Sequence, residues 1–332
     1  MTRVERRSHL SPDQVSEVFA VLQAASDADG VYPLSEHVVL HLRRGGDLPA
    51  VHLIATDGGT VVGYAHVDTT DEVVGASAEV VVHPSYRRKG LGRELTRQAV
   101  AVATGHDPAG RLRLWSHGDH PSATALAMSL GFERYRVLWQ MRRPLYGAMP
   151  DAGIPEGFRV RSFVPGKDDQ AWLELNNRAF AEHPDQGRWT ERDLELRMAE
   201  PWFDPAGFLL AERISDGRLL GFHWTKVHGN HAGSGAEHAH SPIGEVYVLG
   251  VDPDAQGTGL AVPLTIAGLR YLRGLSLDQV MLYVDASNTR AVRLYEKLGF
   301  VRWITDAAFR RVTSAGSGRG DGPAGEAPRS RQ

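Results

Sequence analysis

Hydrophobic and polar positions along this chain alternate between two periods. In "VHLIATDGGTVVGYAHVD" (51–68), two short runs rich in β-branched and apolar residues flank Asp57-Gly58-Gly59, which predicts a hairpin. "GFLLAERISDGRLLGFHWTKV" (207–227) has the same form, with Asp216-Gly217 at the turn. Each hairpin is followed by a longer strand-like run, a Gly-bearing loop, and a stretch of helical period. Leu91, Leu95, Ala99 and Val102 mark the first such helix, and Leu260, Leu264, Ala267 and Tyr271 the second. A further strand and a helix ending at Gly-Phe complete each set, and helices are expected near the start of each.

The two sets are copies. An offset of 169 (83 to 252) pairs His83-Pro84 with Asp252-Pro253, Arg87 with Gln256, Gly90 with Gly259 and Gly92 with Ala261. An offset of 168 (131 to 299) then pairs "ALAMSLGFERY" with "RLYEKLGFVRW". The chain reads as a tandem duplication of one α/β unit, joined through the Pro- and Gly-bearing stretch "RRPLYGAMPDAGIPEGF". "HGNHAGSGAEHAHSPIG" (228–244) reads as a flexible loop, and the tail "TSAGSGRGDGPAGEAPRSRQ" has no apolar face to bury and is expected to be disordered.

Composition narrows the chemistry. The length of 332 residues suits two domains. A net charge of −3 recommends neither nucleic acid nor an anionic membrane as partner, and no apolar run reaches the roughly 20 residues of a span. A cytoplasmic monomer is expected. With no cysteine, disulfides, thiolate metal sites and a cysteine nucleophile are excluded. Lysine occurs only at Lys89, Lys167, Lys226 and Lys297, a coding effect of a GC-rich genome. His223, His228, His231, His238 and His240 lack helical ligand spacing, so a polar loop is favoured over a metal site, and no metal is expected.

The Gly loops resemble phosphate cradles, but two familiar kinds do not fit. A dinucleotide fingerprint needs glycine where Val262 stands, and neither copy closes on Gly-Lys-Ser/Thr. What remains is a strand, Arg/Gln-x-x-Gly-x-Gly/Ala, and a helix, whose backbone N–H groups can face a pyrophosphate. In the second copy Glu245 opens the strand and is a candidate base. Tyr295 is a candidate acid, since a phenol of pKa about 10 can protonate a departing thiolate. N–H groups around Leu249 to Val251 are candidate oxyanion donors. The expected counterparts in the first copy are Ala76 and Ala127, so catalysis is expected only in the second.

Both units resemble the GCN5-related N-acetyltransferase family, through these loops and through "DASNTRAVRLYEKLGF" (285–300). The resemblance implies two tandem α/β (α+β) domains, each a mixed, mostly antiparallel sheet flanked by helices. They would span 1–143, which binds acetyl-CoA without turning it over, and 158–312, which catalyses; 144–157 is the linker and 313–332 the tail. It implies a second-unit acetyl-CoA site of Leu249, Gly250, Val251, Gln256, Gly257, Thr258, Gly259, Leu260, Ala261, Val262, Asn288, Thr289, Arg290, Ala291, Val292 and Arg293. The first-unit site would be Val80, Val81, Val82, Arg88, Lys89, Gly90, Leu91, Gly92 and Arg93. Ala261 departs from the family's usual second glycine, which implies slightly altered pyrophosphate packing.

"GFHWTKVH", "AEPWFDPAGFLL" and the strand–loop sequence itself resemble a tandem-domain branch of the family. That branch acetylates the cysteinyl amine of cysteinyl-glucosaminyl-inositol, the last step of mycothiol synthesis. It implies acceptor contacts at Glu36, Asp185, Lys226, Glu245 and Tyr283, residue types suited to a polyhydroxylated molecule bearing one ammonium. Acetylation of another amine and a non-catalytic acyl-CoA-binding module stay open. Glu245 and Tyr295 argue against the second for the whole chain.

Overall fold

The computed structural model describes residues 2–44, 50–71, 75–181, 189–228 and 242–311. Asp185, His231, His238, His240 and the tail 313–332 lie outside these residues.

The first unit runs β1 (Arg3–Arg7), α1 (Pro12–Asp29), α2 (Glu36–Arg44), β2 (Ala50–Asp57), β3 (Thr60–Asp68), β4 (Ala76–Val82), α3 (Leu91–His106), β5 (Leu112–Ser116), α4 (Pro121–Ser129) and β6 (Phe132–Pro144). The second runs β7 (Phe158–Ser162), α5 (Asp169–Ala179), α6 (Glu191–Met198), β8 (Phe208–Arg213), β9 (Leu219–His228), β10 (Ile243–Val251), α7 (Ala261–Gly274), β11 (Gln279–Asp285), α8 (Thr289–Lys297) and β12 (Val301–Arg311). Local chemistry explains several boundaries. Gly58 and Gly59 take φ of 59° and 91°, the two left-handed residues that a tight hairpin turn needs. Ser11 and Gln14 form a capping box ahead of α1, with Pro12 in its first turn.

The four periodic positions of α3 are all buried, as expected. Helix α7 buries a broader face than its period suggested: Leu264, Ile266, Leu269 and Leu272 are covered, while Ala267 and Tyr271 are only half-buried. The reason is its packing over both β9 and β10. There Gly268 makes room for His223, since a Cβ would lie 2.1 Å from the imidazole. His223 is thus no loop residue. It sits inside β9, fully buried, with Nδ1 2.9 Å from the Leu264 carbonyl oxygen, and burial lowers its pKa to about 4. Strand β9 also takes in His228, and β10 begins at Ile243, so both ends of the expected histidine loop are strand.

Pairing is antiparallel except at β4–β5 and β10–β11, the mixed, mostly antiparallel pattern expected of each unit. The sheets are continuous, in the order β1-β2-β3-β4-β5-β12-β6-β11-β10-β9-β8-β7. The last strand of each unit therefore lies in the other unit's sheet, β12 against β5 and β6 against β11. Leu145, at the start of the expected linker, is buried in the α7–α8 core.

Charges cross the exchange. Arg136 Nε lies 2.5 Å from Asp285 Oδ2. Behind β5, buried His117 places Nδ1 3.1 Å from Asp306 Oδ2 of β12, and Nε2 3.6 Å from Glu79 Oε2 of β4. Burial alone would lower the His117 pKa, but the Asp306 hydrogen bond and the charges of Glu79 and Asp306 outweigh it and raise the value to about 10. A group raised in the folded state stabilises fully below its unfolded pKa of about 6.5 and loses that contribution as pH rises through its folded value. Denaturant titrations from pH 6 to 10 are expected to show wild-type stability falling by more than about 1 kcal/mol relative to His117→Gln. Parallel pH profiles for the two proteins would remove His117 as the cause.

Candidate active site

Parallel pairing of β10 with β11 covers only Gly244–Val246 against Val280–Leu282. A bulge between Val246 and Val248 follows, and from there to Val251 the strand pairs with β9 alone. The β11 side of Leu249–Val251 therefore carries backbone groups outside any ladder, at the mouth of a wedge. Gly250 is fixed by close approach, because a Cβ there would lie 2.4 Å from the Phe222 ring.

Beyond Val251, Asp252 Oδ1 accepts the Asp254 N–H at 2.9 Å, while its other oxygen meets Arg178 at 2.9 Å and Arg218 at 3.3 Å. This anchors the turn before Gly257 and Gly259, at φ of 84° and 82°. A Cβ on either glycine would meet nothing within 4 Å, so the outer side of the loop is open. No side chain caps α7, leaving first-turn N–H groups to face an anion there. Arg290 Nη1 reaches Gln256 Oε1 at 3.3 Å and ties the loop to the start of α8. Asn288 opens α8, its side chain accepting the Ala291 N–H at 3.1 Å, and Gly299 closes it at φ 85°. Tyr295 is buried against Phe300, and its hydroxyl makes no hydrogen bond among the described residues. Burial pushes its pKa up.

Val246, Val280 and Leu282 pack toward α7 and α8, so strand alternation sends Glu245 to the opposite face. There it stands beside Lys226 of β9 and Met281 of β11. Glu245 is buried, with Oε2 2.5 Å from His228 Nε2. Lys226 forms an ion pair with Glu36 of the first unit, and its ammonium lies 4.7 Å from the Trp202 ring centroid and 5.2 Å from that of Tyr247. Burial would raise the Glu36 pKa, but the charge and hydrogen bond of Lys226, the Arg197 charge and a Tyr247 hydrogen bond hold it low, so Glu36 is ionised. Arg197 Nε donates to Tyr247 Oη at 2.8 Å and its guanidinium lies 3.9 Å from the Trp189 ring centroid. Tyr283, whose ring is partly exposed, accepts from Gln140 Nε2 at 2.7 Å; desolvation around its hydroxyl and the Glu245 charge raise its pKa.

Glu36, Lys226, Glu245 and Tyr283 thus converge, with Tyr295 across the sheet from them; Asp185 lies outside the described residues. Sequence reading missed His228, Arg197, Trp202, Tyr247 and Gln140. Tyr247 shares strand parity with Glu245 and was readable. His228, two residues along β9 from Lys226, was readable in the same way, whereas Arg197, Trp202 and Gln140 come from distant elements that leave no local signal.

In the first unit Arg88 (φ 63°) and Gly90 (φ 85°) reproduce the turns of Gly257 and Gly259, although Arg88 pays the left-handed penalty of a non-glycine residue. Val80–Val82 run past the β5 pairing, which covers only Ala76–Glu79, as Leu249–Val251 run past β11. The expected counterpart of Glu245 needs correction. Because the β10 bulge adds one residue, Tyr247, positions before it shift, and Ser77 takes the place of Glu245 rather than Ala76. Ser77 faces Asp68 where Glu245 faces Lys226. Ala127 does stand in α4 where Tyr295 stands in α8.

The model of the acetyltransferase (GNAT) family matches residues 20–132 and 170–300. The chain belongs to the acetyltransferase (GNAT) family. It is 54% identical over 327 residues to the mycothiol acetyltransferase of Acidothermus cellulolyticus, covering 96% of this chain and 97% of that one. With that of Streptomyces coelicolor the identity is 51% over 312 residues, covering 93% and 96%. Such relatives place it among the mycothiol acetyltransferases within the family, and it is an N-acetyltransferase. A GCN5-related N-acetyltransferase from Sphaerobacter thermophilus superposes with a TM-score of 0.65 at 27% identity, over 93% of this chain and 95% of that chain. A tandem GNAT protein of clavulanic acid biosynthesis shares the fold, with a TM-score of 0.69 at 20% identity, over 93% and 98%. No described helix is long and apolar enough to cross a membrane, and the described residues hold no group of three or more His, Cys, Asp or Glu that could bind a metal.

Proposed function

We propose that the protein transfers acetyl from acetyl-CoA to the cysteinyl amine of cysteinyl-glucosaminyl-inositol. On this reading segment 158–312 is catalytic, and segment 1–143 binds acetyl-CoA without turnover and contributes Glu36. The observation that carries it most is the wedge at Leu249–Val251, with Glu245 on one face of the sheet and Tyr295 on the other. The open glycine loop and uncapped α7 suit a pyrophosphate, and the unpaired strand edge suits an amide-bearing arm. Acetyl-CoA supplies the activated acyl group.

Glu245 takes the ammonium proton, and the bond to His228 holds its carboxylate in place. The reference pKa of an α-amine, about 7.7–8.0, keeps that demand modest. Strand N–H groups from Leu249 to Val251 donate to the acyl oxygen as negative charge develops on it. As the new C–N bond forms and the C–S bond breaks, Tyr295 gives its proton to the departing sulfur. Burial weakens the phenol as an acid, but the same dry surroundings raise the proton affinity of a thiolate. Around the amine, Glu36, Lys226, Tyr283 and, on the sequence reading, Asp185 meet hydroxyls and ring oxygens.

The test is an acetylation assay with cysteinyl-glucosaminyl-inositol, an aminoglycoside and a peptide N-terminus at equal concentration. The expected result is kcat/KM at least about 100-fold higher for the conjugate, well within the roughly 10,000-fold or greater discrimination open to a site built to hydrogen-bond its substrate. Equal rates would leave an acetyltransferase acting on another amine.

A further inference from the structure

The first unit holds a loop that leads from its own Gly-loop region to the acceptor pocket of the second. Helix α1 ends at Asp29, and Glu36 is the first residue of α2. Both ends of the intervening connection are tied to the strand and loop assigned above to the first acetyl-CoA site. At one end Arg87, which directly precedes Arg88–Arg93, grips Asp29 through two bonds, Nη1 to Oδ1 and Nη2 to Oδ2, each 2.7 Å. The same guanidinium donates from Nε to the Val82 carbonyl oxygen at 3.1 Å, so it spans the end of β4 and the end of α1. At the other end the Ser35 N–H donates to Glu79 Oε2 at 2.6 Å. Glu79 is buried on β4, next to Val80–Val82. Between the anchors Leu34 is buried in the α1–α2 core, and Val31 packs against Gly118, where a Cβ would lie 3.2 Å from Val31 Cγ2. One residue past the second anchor, Glu36 pairs with Lys226.

A glutamate on a free connection would sample many positions, and ordering it on binding would cost entropy. Here that cost is met in advance by charge-assisted, part-buried contacts, of which the paired Arg–carboxylate geometry is the most directional. We infer that Arg87 and Asp29 are positioning residues for Glu36, so that the degenerate unit's Gly-loop end sets the affinity of the acceptor site in the catalytic unit. Whatever shifts the 88–93 loop reaches Lys226 by this route, and by linkage acceptor binding acts back on that loop. The inference rests on reading Glu36 as an acceptor contact.

Direct calorimetry of cysteinyl-glucosaminyl-inositol binding to the full chain, without acetyl-CoA, tests it. Arg87→Ala is expected to raise the acceptor Kd by about 5-fold or more, the lower end of usual coupling between sites. Asp29→Asn, which keeps shape and one acceptor oxygen, is expected to give a smaller rise. In a Glu36→Gln background Arg87→Ala is expected to add less than about 2-fold, since coupled residues depart from additivity. If Glu36→Gln leaves the Kd unchanged, the acceptor reading of Glu36 fails. If Glu36→Gln weakens binding while both Arg87→Ala and Asp29→Asn bind as wild type, the positioning role fails. Equal, additive losses in both backgrounds would also overturn it, because they would mark general loosening. Should Arg87→Ala not fold, the Asp29→Asn pair decides by the same criteria.

Discussion

Glu245→Gln is expected to lower kcat for acetylation of cysteinyl-glucosaminyl-inositol by about 100-fold at pH 7, the lower end of what a positioned general base contributes. The lower end applies because an α-amine is already partly neutral at that pH, so the carboxylate assists a deprotonation that solvent can also perform. Glutamine suits the test because it keeps the size of Glu245 and can still bond His228, leaving the β9–β10 pairing undisturbed. Two further results should accompany the loss. Raising the pH to 9 should recover part of the rate, as the free amine no longer needs a base. Acetyl-CoA affinity should stay within about 2-fold of wild type, since Glu245 and the loop at Gly257–Gly259 lie at opposite ends of the strand. A wild-type rate at pH 7 would exclude Glu245 as the base.

The parts of this site that were legible in the sequence are those encoded locally. A glycine that must take positive φ, an asparagine that caps a helix and a carboxylate at a strand's entry all act through their near neighbours in the chain. Gly259, Asn288 and Glu245 are therefore legible in the sequence alone. The duplication extended this reach by supplying a second copy for comparison, and Tyr295 and Ala127 came out of it correctly paired. The same comparison misplaced the partner of Glu245 by one residue, because a bulge inserts Tyr247 without disturbing the apolar rhythm around it. What the sequence withheld was long-range. Nothing in Val301–Arg311 says that this strand lies between β5 and β6, since strand partners are chosen by tertiary packing that leaves the alternation unchanged. Arg197, Trp202 and Gln140 reach the pocket from a helix, a turn and the exchanged strand β6. His223 and His228 looked alike as loop histidines. One fills the gap left by Gly268 and the other holds Glu245, a difference set by which face of β9 each occupies.

Tyr295→Phe is the complementary experiment, and it separates the two halves of the proposed chemistry. Phenylalanine keeps the ring that packs on Phe300 and removes only a hydroxyl that bonds no described residue, so folding should be unaffected. If that hydroxyl delivers the proton to the leaving sulfur, kcat should again fall by about 100-fold, but with a different signature. Raising the pH should not restore it, because the lost function is that of an acid and not a base. Burial holds the phenol above its ordinary pKa of about 10, so the wild type should show no alkaline decline from this group below that pH. A thioester whose thiol is more acidic needs less help in leaving, and with such a donor the gap between Tyr295→Phe and wild type should narrow. An unchanged gap would point to a role in placing the acyl group. A wild-type rate with acetyl-CoA would remove Tyr295 from the chemistry, and the first unit, which has Ala127 at this place, could then no longer be called inactive for want of the tyrosine.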